Sequence, residues 1–197
     1  MKIEDINIAD AKMETASLIL RPFEEKDVDD LYEYAQVPGV GEAAGWNHHE
    51  SREQSEYTVK AFIAGKRTFA VCEKESGKVI GSIGFEPCPE VYNNLNLGES
   101  VINMGYVFGQ NYWGMGYAKE AVRAILGYAF FVLHVDAVTC AHFKGNDLAK
   151  SVLLSRGLKQ VAKGKYITQK GYKFNAVYYA VTASEYGEEN KPVINEV

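Results

Sequence analysis

The chain is 197 residues long, 47% hydrophobic and 24% charged, with a formal net charge of −5 at pH 7. This length and composition are typical of one globular domain with a full core, and no apolar run is long enough to span a membrane. The acidic balance does not indicate a nucleic-acid partner, whereas it mildly favours cationic substrates such as amines.

A polar start precedes the first strand and helix. Residues 1–15 are irregular and lack the pattern of a signal peptide, so we expect a flexible lead-in. Residues 17–22 alternate apolar side chains and predict a strand. The acidic run at residues 24–27 suits the positive end of a helix dipole. The apolar stripe of the helix it begins is Val28, Leu31, Tyr32 and Ala35.

A loop, a second helix and a hairpin come next. Residues 40–50 contain two glycines and two histidines and predict a loop. Ser51 is a suitable cap for a helix that reaches about residue 65. Residues 68–73 and 79–86 then predict two strands joined by a tight turn, which is a hairpin.

The most informative stretch is residues 100–131. Its first part is rich in β-branched and aromatic residues and predicts a strand. A loop with Gly114 and Gly116 follows, and glycines there let the backbone approach a ligand closely. The last part has helical periodicity, so its first free amides point towards that loop. A strand, a glycine loop and a helix in this order form an anion-binding cradle.

The remaining elements are short. Residues 137–143 predict a strand, and a helix runs from Asn146 to Arg156. Residues 158–168 and 172–182 alternate well enough to predict a last hairpin. The charged tail, residues 187–197, is expected to be disordered.

The three cysteines do not indicate a metal site. Their number is odd, and no pair has the spacing of metal ligands. Cys72 and Cys140 lie in predicted strands, where a small buried thiol is usual. Cys88 lies in a loop between two prolines, where a nucleophilic role is the alternative to a structural one. This usage favours a reduced, cytoplasmic setting and no bound metal.

One motif resembles a known family. The run from Asn111 to Ala118, NYWGMGYA, resembles the coenzyme A pyrophosphate loop of the GNAT acetyltransferases, usually written Q/R-x-x-G-x-G/A. Asn111 departs from that pattern, because Gln or Arg is usual there. The flanks, Gly105-Tyr106 and the residues after Tyr117, resemble the branch that acetylates the N-termini of ribosomal proteins. The resemblance covers residues 16–186, which we expect to be a single domain.

The resemblance implies a fold and a cofactor. The fold is α/β (α+β), with a mixed, mostly antiparallel sheet of about seven strands, about four helices, and two central strands that splay apart. Acetyl-CoA is the implied donor and a primary amine the implied acceptor. Asn146 matches an asparagine that binds the pantetheine side, although it can equally be a helix cap. The other implied cofactor-binding residues are Tyr106, Val107, Phe108, Asn111, Gly114, Met115, Gly116, Tyr117 and Ala118.

The proton acceptor is harder to identify. Many relatives have a glutamate three residues before the strand tyrosine, where this chain has Asn103, and an amide cannot accept a proton at neutral pH. Glu99 shares the strand face of Asn103 by alternation, but lies roughly 13 Å further along. A solvated loop acid is the alternative reading of Glu99. The family's general acid is also missing, since Ala149, Leu153 and Leu154 stand where it would lie. Tyr106, Tyr117 or water would then protonate the thiolate.

The loop histidines offer a second candidate base. His48 and His49 follow Trp46 in a stretch resembling the Trp-x-x-His of the acceptor loop, and histidine titrates near the operating pH. Adjacent loop histidines can also be simple polar surface. Trp46, Phe85 and Tyr92 are candidates for the acceptor pocket or for the core.

Three readings of the function remain open from the sequence. The first is an acetyl-CoA-dependent N-acetyltransferase that acts directly on a peptide N-terminus or small amine. The second is an acetyl-CoA-binding module without efficient catalysis, which Asn103 and Leu154 favour. An unrelated α/β interaction domain is a third reading. The sequence does not identify the acceptor amine, and a homodimer is compatible with it.

Overall fold

One sheet organises the molecule. The computed structural model describes residues 2–168 and 171–187, and its sheet has eight strands within that part of the chain. The strands are β1 Met13–Glu14, β2 Leu18–Pro22, β3 Thr68–Glu73, β4 Val79–Glu86, β5 Val101–Phe108, β6 Ala137–Phe143, β7 Lys159–Ile167 and β8 Lys173–Thr182. The helices are α1 Val28–Ala35, α2 Val40–Ala44, α3 Arg52–Gly65, α4 Tyr117–Phe131, α5 Asp147–Ser155 and α6 Ala183–Tyr186.

The sheet is antiparallel except at its centre. The strand order is β1-β2-β3-β4-β5-β6-β8-β7, and only β5 and β6 run parallel. A parallel pair needs a crossover connection, and α4 supplies it. The predicted GNAT-like fold class is confirmed. The additional strand is the two-residue β1, and α2 and α6 are single short turns.

The parallel pair separates after three rungs. Val101, Ile102 and Asn103 pair with residues 137–139, and no further rung joins β5 to β6. Both strands continue beyond that point, to Phe108 and Phe143. A gap therefore opens in the middle of the sheet, as the splayed arrangement predicts.

Two apolar layers cover the two faces of the sheet. On one face, the stripe of α4 that includes Ile125 packs against side chains such as Ile83 and Met104. On the other face, α1 and α3 cover β3, where Leu31 and Val59 join Ala70. Alternation along β4 and β5 explains this division, because neighbouring residues face opposite layers.

Three stretches differ from their predictions. Residues 2–14 are packed rather than a loose lead-in, since Ile6, Ile8 and Met13 are buried in the α4-side core. The predicted loop at residues 40–50 contains the short helix α2, which ends at a left-handed Gly45. The predicted tail lies outside the described residues, apart from Gly187, as do residues 169 and 170 of the turn between β7 and β8. Among the described helices, none is long and apolar enough to cross a membrane.

Candidate active site

A deep cleft opens where β5 and β6 separate. Its volume is about 860 Å³, and its floor is the α1/α3 face of β4, β5 and β6. The segment from α2 to α3, including Trp46, forms the opposite wall. The cleft therefore follows from the topology, since a sheet with continuous pairing at its centre would close this gap.

The edge of β5 forms one side of the gap. Tyr106, Val107 and Phe108 all line the cleft, as predicted for cofactor-binding residues. Beyond Asn103 this edge pairs with no strand in the described residues, so its backbone groups on that side are open to a ligand, apart from Phe108 O, which accepts from the Trp113 indole. The Tyr106 hydroxyl is buried and has no hydrogen-bond partner within the described chain. These unpaired polar groups fit an extended, amide-bearing ligand such as pantetheine.

The glycine loop provides free amides. Gly114 and Gly116 have φ of 79° and 92°, and open space surrounds the Cβ position of each. The first backbone bond of α4 runs from Glu120 N to Gly116 O, 3.1 Å. The amides of residues 117–119 thus have no acceptor among the described residues. This arrangement suits a pyrophosphate.

The other predicted cofactor residues are divided between cleft and surface. Asn146 lines the cleft, and its Oδ1 also accepts from Ala149 N at 3.0 Å, so it caps α5. Trp113 closes the loop end, where its indole donates to Phe108 O at 2.8 Å. The loop residues outside the cleft lining are Asn111, Gly114, Met115, Gly116, Tyr117 and Ala118.

A carboxylate that the sequence analysis did not select lies in the cleft. Glu86 ends β4 directly opposite Asn103 of β5, and its Oε2 lies 3.4 Å from Asn103 Nδ2. A Cβ on Gly105 would lie only 2.8 Å from Glu86 Oε1, so this glycine makes room for the carboxylate. The side chain is exposed to the cleft but surrounded by protein on its other sides. This partial desolvation raises its pKa, against the opposing effects of Asn103 and Arg67.

Asn103 and Glu99 lie in different environments. Asn103 is in the cleft, only 8% exposed, and bonds to both Glu86 and Thr139. Glu99 lies outside the cleft, and its backbone amide donates to Asp136 Oδ2 at 2.8 Å. No bulge in the pairing of β5 with β4 or β6 brings Glu99 towards Asn103, so the two residues do not share a site in this structure.

His48 and His49 both line the cleft. His48 Nδ1 lies 2.8 Å from Glu42 Oε1. Despite some desolvation, bonds from His48 and from the backbone amides of His48 and Gly39 lower the pKa of Glu42 to about 2. His49 Nδ1 lies 2.7 Å from the buried Ser55 hydroxyl, and desolvation lowers the pKa of His49. At neutral pH, His49 is therefore neutral.

Apolar side chains occupy the α5 positions where the family's general acid would lie. Ala149 lines the cleft, Leu153 is buried and Leu154 is exposed. Tyr117 is not a substitute, because its hydroxyl donates to Glu73 at 2.7 Å, and this bond raises its pKa to about 12. Tyr106 lines the cleft, but burial raises its pKa well above the usual value.

The aromatic candidates for the acceptor pocket separate clearly. Trp46 lines the cleft, 5.2 Å from His49 between ring centroids. Phe85 is part of the α4-side core, and Tyr92 is buried with its hydroxyl donating to Cys140 O at 2.9 Å. Only the first of these three can therefore contact a ligand in the cleft.

The cysteines and metal ligands offer no alternative chemistry in the described chain. Cys72, Cys88 and Cys140 are free thiols. Burial raises the pKa of all three, which keeps them protonated at neutral pH. No group of three or more His, Cys, Asp or Glu residues there is arranged to hold a metal ion.

The lysine, arginine and carboxylate side chains are unevenly distributed around the cleft, and those that line it are acidic. Glu50, Glu53 and Glu86 line it, whereas no lysine or arginine of the described chain does. Aromatic rings, including Tyr57 and Tyr166, cover much of the remaining wall. The cleft therefore favours a cation with some apolar surface.

Comparisons with known proteins agree with this geometry. The profile of the acetyltransferase (GNAT) domain family matches residues 17–159. An uncharacterised N-acetyltransferase of Bacillus subtilis, YoaA, is 23% identical over 175 residues, which cover 86% of this chain and 95% of that protein.

Solved structures share the fold. A GNAT-family acetyltransferase from Bacillus anthracis has a TM-score of 0.77 at 23% identity, covering 88% of this chain and 99% of that one. A spermidine N-acetyltransferase from Vibrio cholerae, solved with CoA and spermine, has a TM-score of 0.70 at 16% identity, covering 87% and 99%.

Proposed function

The chain belongs to the acetyltransferase (GNAT) domain family and is an acetyltransferase, and we propose that it transfers the acetyl group of acetyl-CoA directly to a primary amine. The observation that carries this proposal is the cleft itself. It combines an unpaired strand edge, free helix amides nearby and a carboxylate at its floor. In this proposal the single domain of residues 16–186 carries the whole activity.

The chain's own groups suit the cofactor. In our proposal the unpaired edge at Tyr106, Val107 and Phe108 binds the pantetheine arm and the thioester carbonyl. The free amides of residues 117–119 and the glycine loop bind the pyrophosphate. Asn146 contributes its remaining hydrogen-bonding capacity at the pantetheine side. When bound, acetyl-CoA supplies an activated thioester whose acetyl carbon the neutral amine attacks, with release of free thiol.

Glu86 is the proton acceptor in this scheme. An ammonium must lose a proton before it can attack, and a carboxylate with a raised pKa is a better base near neutral pH than an ordinary one. Glu86 takes that proton, and the released thiolate takes one from solvent, since no side-chain donor of α5 lines the cleft. His48, held by Glu42, is the second candidate base because it lines the same cleft.

The acceptor in our proposal is a cationic amine without a neighbouring carboxylate. The lining glutamates favour a positive charge, and no lysine or arginine of the described chain lines the cleft to bind a carboxylate. Peptide N-termini and small amines both meet this condition. The branch that acts on ribosomal proteins stays a prediction.

A thiol-release assay tests the proposal. The protein is incubated with acetyl-CoA and a panel of peptide N-termini, diamines, amino sugars and amino acids. We expect thiol release above the buffer rate with at least one acceptor, and an added mass of one acetyl group on that acceptor. A raised melting temperature with CoA, but no release with any amine, would instead identify a binding module.

A further inference from the structure

A hydrogen-bonded rung crosses three strands at the floor of the cleft. Glu86 of β4 is in register with Asn103 of β5, and Asn103 is in register with Thr139 of β6. The Asn103 Nδ2–Glu86 Oε2 distance is 3.4 Å, and the Thr139 Oγ1–Asn103 Oδ1 distance is 3.0 Å. The three side chains share one sheet face and form a continuous line.

The direction of the Asn103 amide is fixed by its neighbours. Thr139 is completely buried, and its hydroxyl can donate to Asn103 Oδ1 at 3.0 Å or to the backbone oxygen of Ile102 at 3.3 Å, the first being the shorter contact. Cys88 Sγ lies 3.7 Å from Thr139 Oγ1, and its thiol can donate a hydrogen bond to that oxygen. A flipped amide would place its oxygen against the Glu86 carboxylate, which is repulsive. The NH₂ group therefore points at Glu86.

The rung lies where β5 and β6 begin to separate. Asn103–Thr139 is the last pair of the parallel β5–β6 ladder, and the strands separate immediately beyond it. The pairing on both sides of β5 restrains Asn103, while Gly105 leaves space for the carboxylate above the gap. A side chain held here therefore lies at the point where β5 and β6 separate.

We propose that Asn103 is a positioning residue that holds the Glu86 carboxylate for proton acceptance, with Thr139 fixing the orientation of the Asn103 amide. This inference rests on the proposed function. It explains why an asparagine stands at position 103, where many relatives have a glutamate. A second carboxylate at this position would face Glu86 on the same rung, and two such groups cannot both ionise readily.

Other ionisable groups also act on Glu86. The charge of Arg67, just before β3, favours the ionised form. Cys140 on β6 and Tyr166 on β7 interact with it electrostatically, but burial raises the pKa of both, so both are neutral near pH 7. Cys88, after β4, is also neutral there. Asn103 and Arg67 are therefore the groups that oppose the desolvation of Glu86.

The pH profile of kcat/KM tests the inference on two positions. Asn103→Leu removes the donor to Glu86, so the pKa of Glu86 rises and the acidic limb of the profile moves to higher pH. Asn103→Asp should move this limb further, by like-charge repulsion. Thr139→Val removes a hydroxyl at nearly constant volume, and Thr139→Ser retains it as the matched control. We expect kcat to fall roughly ten- to hundredfold in Asn103→Leu and Thr139→Val, whereas Thr139→Ser stays near wild type.

The outcomes separate the two levels of the proposal. Affinity for acetyl-CoA, measured by calorimetry, should be unchanged in each folded variant. If Asn103→Leu does not fold, the Thr139 pair decides. If the wild type is active and both Asn103→Leu and Thr139→Val keep its kcat and its acidic limb, the inference is overturned and the proposed function stays intact. Where Asn103→Leu does not fold, the same result in Thr139→Val alone overturns it. A wild type that transfers no acetyl group to any amine overturns both.

Discussion

At the scale of single residues, the position of one carboxylate decides which chemistry the cleft can perform. Glu86 is not on the strand that carries the glycine loop, but on its antiparallel neighbour. Partial desolvation raises its pKa, which strengthens it as a base while leaving it accessible from the cleft. His48 has an ordered partner in Glu42, but it lies on the opposite wall, in the segment between α2 and α3.

Glu86→Gln should therefore remove the base without changing the shape of the site. We expect kcat/KM to fall by roughly 10²-fold or more, and the acidic limb of the pH profile to disappear. Acetyl-CoA affinity, measured by calorimetry, should stay at the wild-type value. His48→Ala is the comparison variant and should stay within a few-fold. The reverse result, with His48→Ala inactive and Glu86→Gln active, would assign the role to the histidine.

At the scale of elements, the start of α4 and the segment between α1 and α3 have separate tasks. The first places free amides beside a loop with space around its glycines. The second lies over the sheet and brings Trp46, His48 and His49 to the cleft. Substitutions in the two elements should accordingly affect different substrates.

Gly116→Asp should abolish acetyl-CoA binding while the protein stays folded. A carboxylate at this position would occupy the space for the pyrophosphate and repel its charge. Gly116→Asn is the matched control, because asparagine has the same size and tolerates the positive φ of 92° comparably. We expect the neutral variant to bind measurably in calorimetry. Equal affinities in both variants would argue against a pyrophosphate at this loop.

Gly41→Ala should affect the acceptor and not the cofactor. A methyl group on Gly41 would collide with the Trp46 ring, so this ring must move within the cleft wall. We expect a higher KM for the amine and an unchanged dissociation constant for acetyl-CoA. Gly65→Ala is a suitable control, since nothing lies within 4 Å of the added carbon and its φ is not positive. A Gly41→Ala enzyme with wild-type acceptor kinetics would show that Trp46 does not contact the amine.

At the scale of the whole molecule, topology and charge act together. The separation of β5 from β6 produces the cleft, and the acidic balance of the chain is repeated in its lining. Two layers of apolar side chains hold the sheet on both faces, so the gap is a fixed feature of the fold.

The acidic lining predicts discrimination against carboxylates. An amino acid amide should be a better acceptor than the corresponding free amino acid, by about tenfold or more in kcat/KM, because each 1.4 kcal/mol of repulsion gives that factor. The comparison uses the pH-independent values, since the two amines have different pKa values. Equal rates would mean that the lining glutamates do not face the bound acceptor.

Local pattern determined much of this protein. Hairpin turns and helix stripes act through neighbours in sequence, so they were sufficient to predict the longer strands and helices, and the loop from Asn111 to Ala118 carried the resemblance to the family. That resemblance also implied that Tyr106, Val107, Phe108 and Asn146 share one site, and all four line the cleft.

Only the tertiary structure decided which carboxylate lies beside Asn103 at the floor of the cleft. Glu86 and Asn103 are 17 positions apart, and their pairing depends on the register of β4 against β5, which alternation within one strand does not specify. The same limit explains why Glu99 was considered and why Ile8 was assigned to a loose lead-in, although it is buried. Contacts between distant segments form where burial and strand pairing are satisfied together. The pattern within one segment contains only one of the two residues in such a contact, so it does not identify the other.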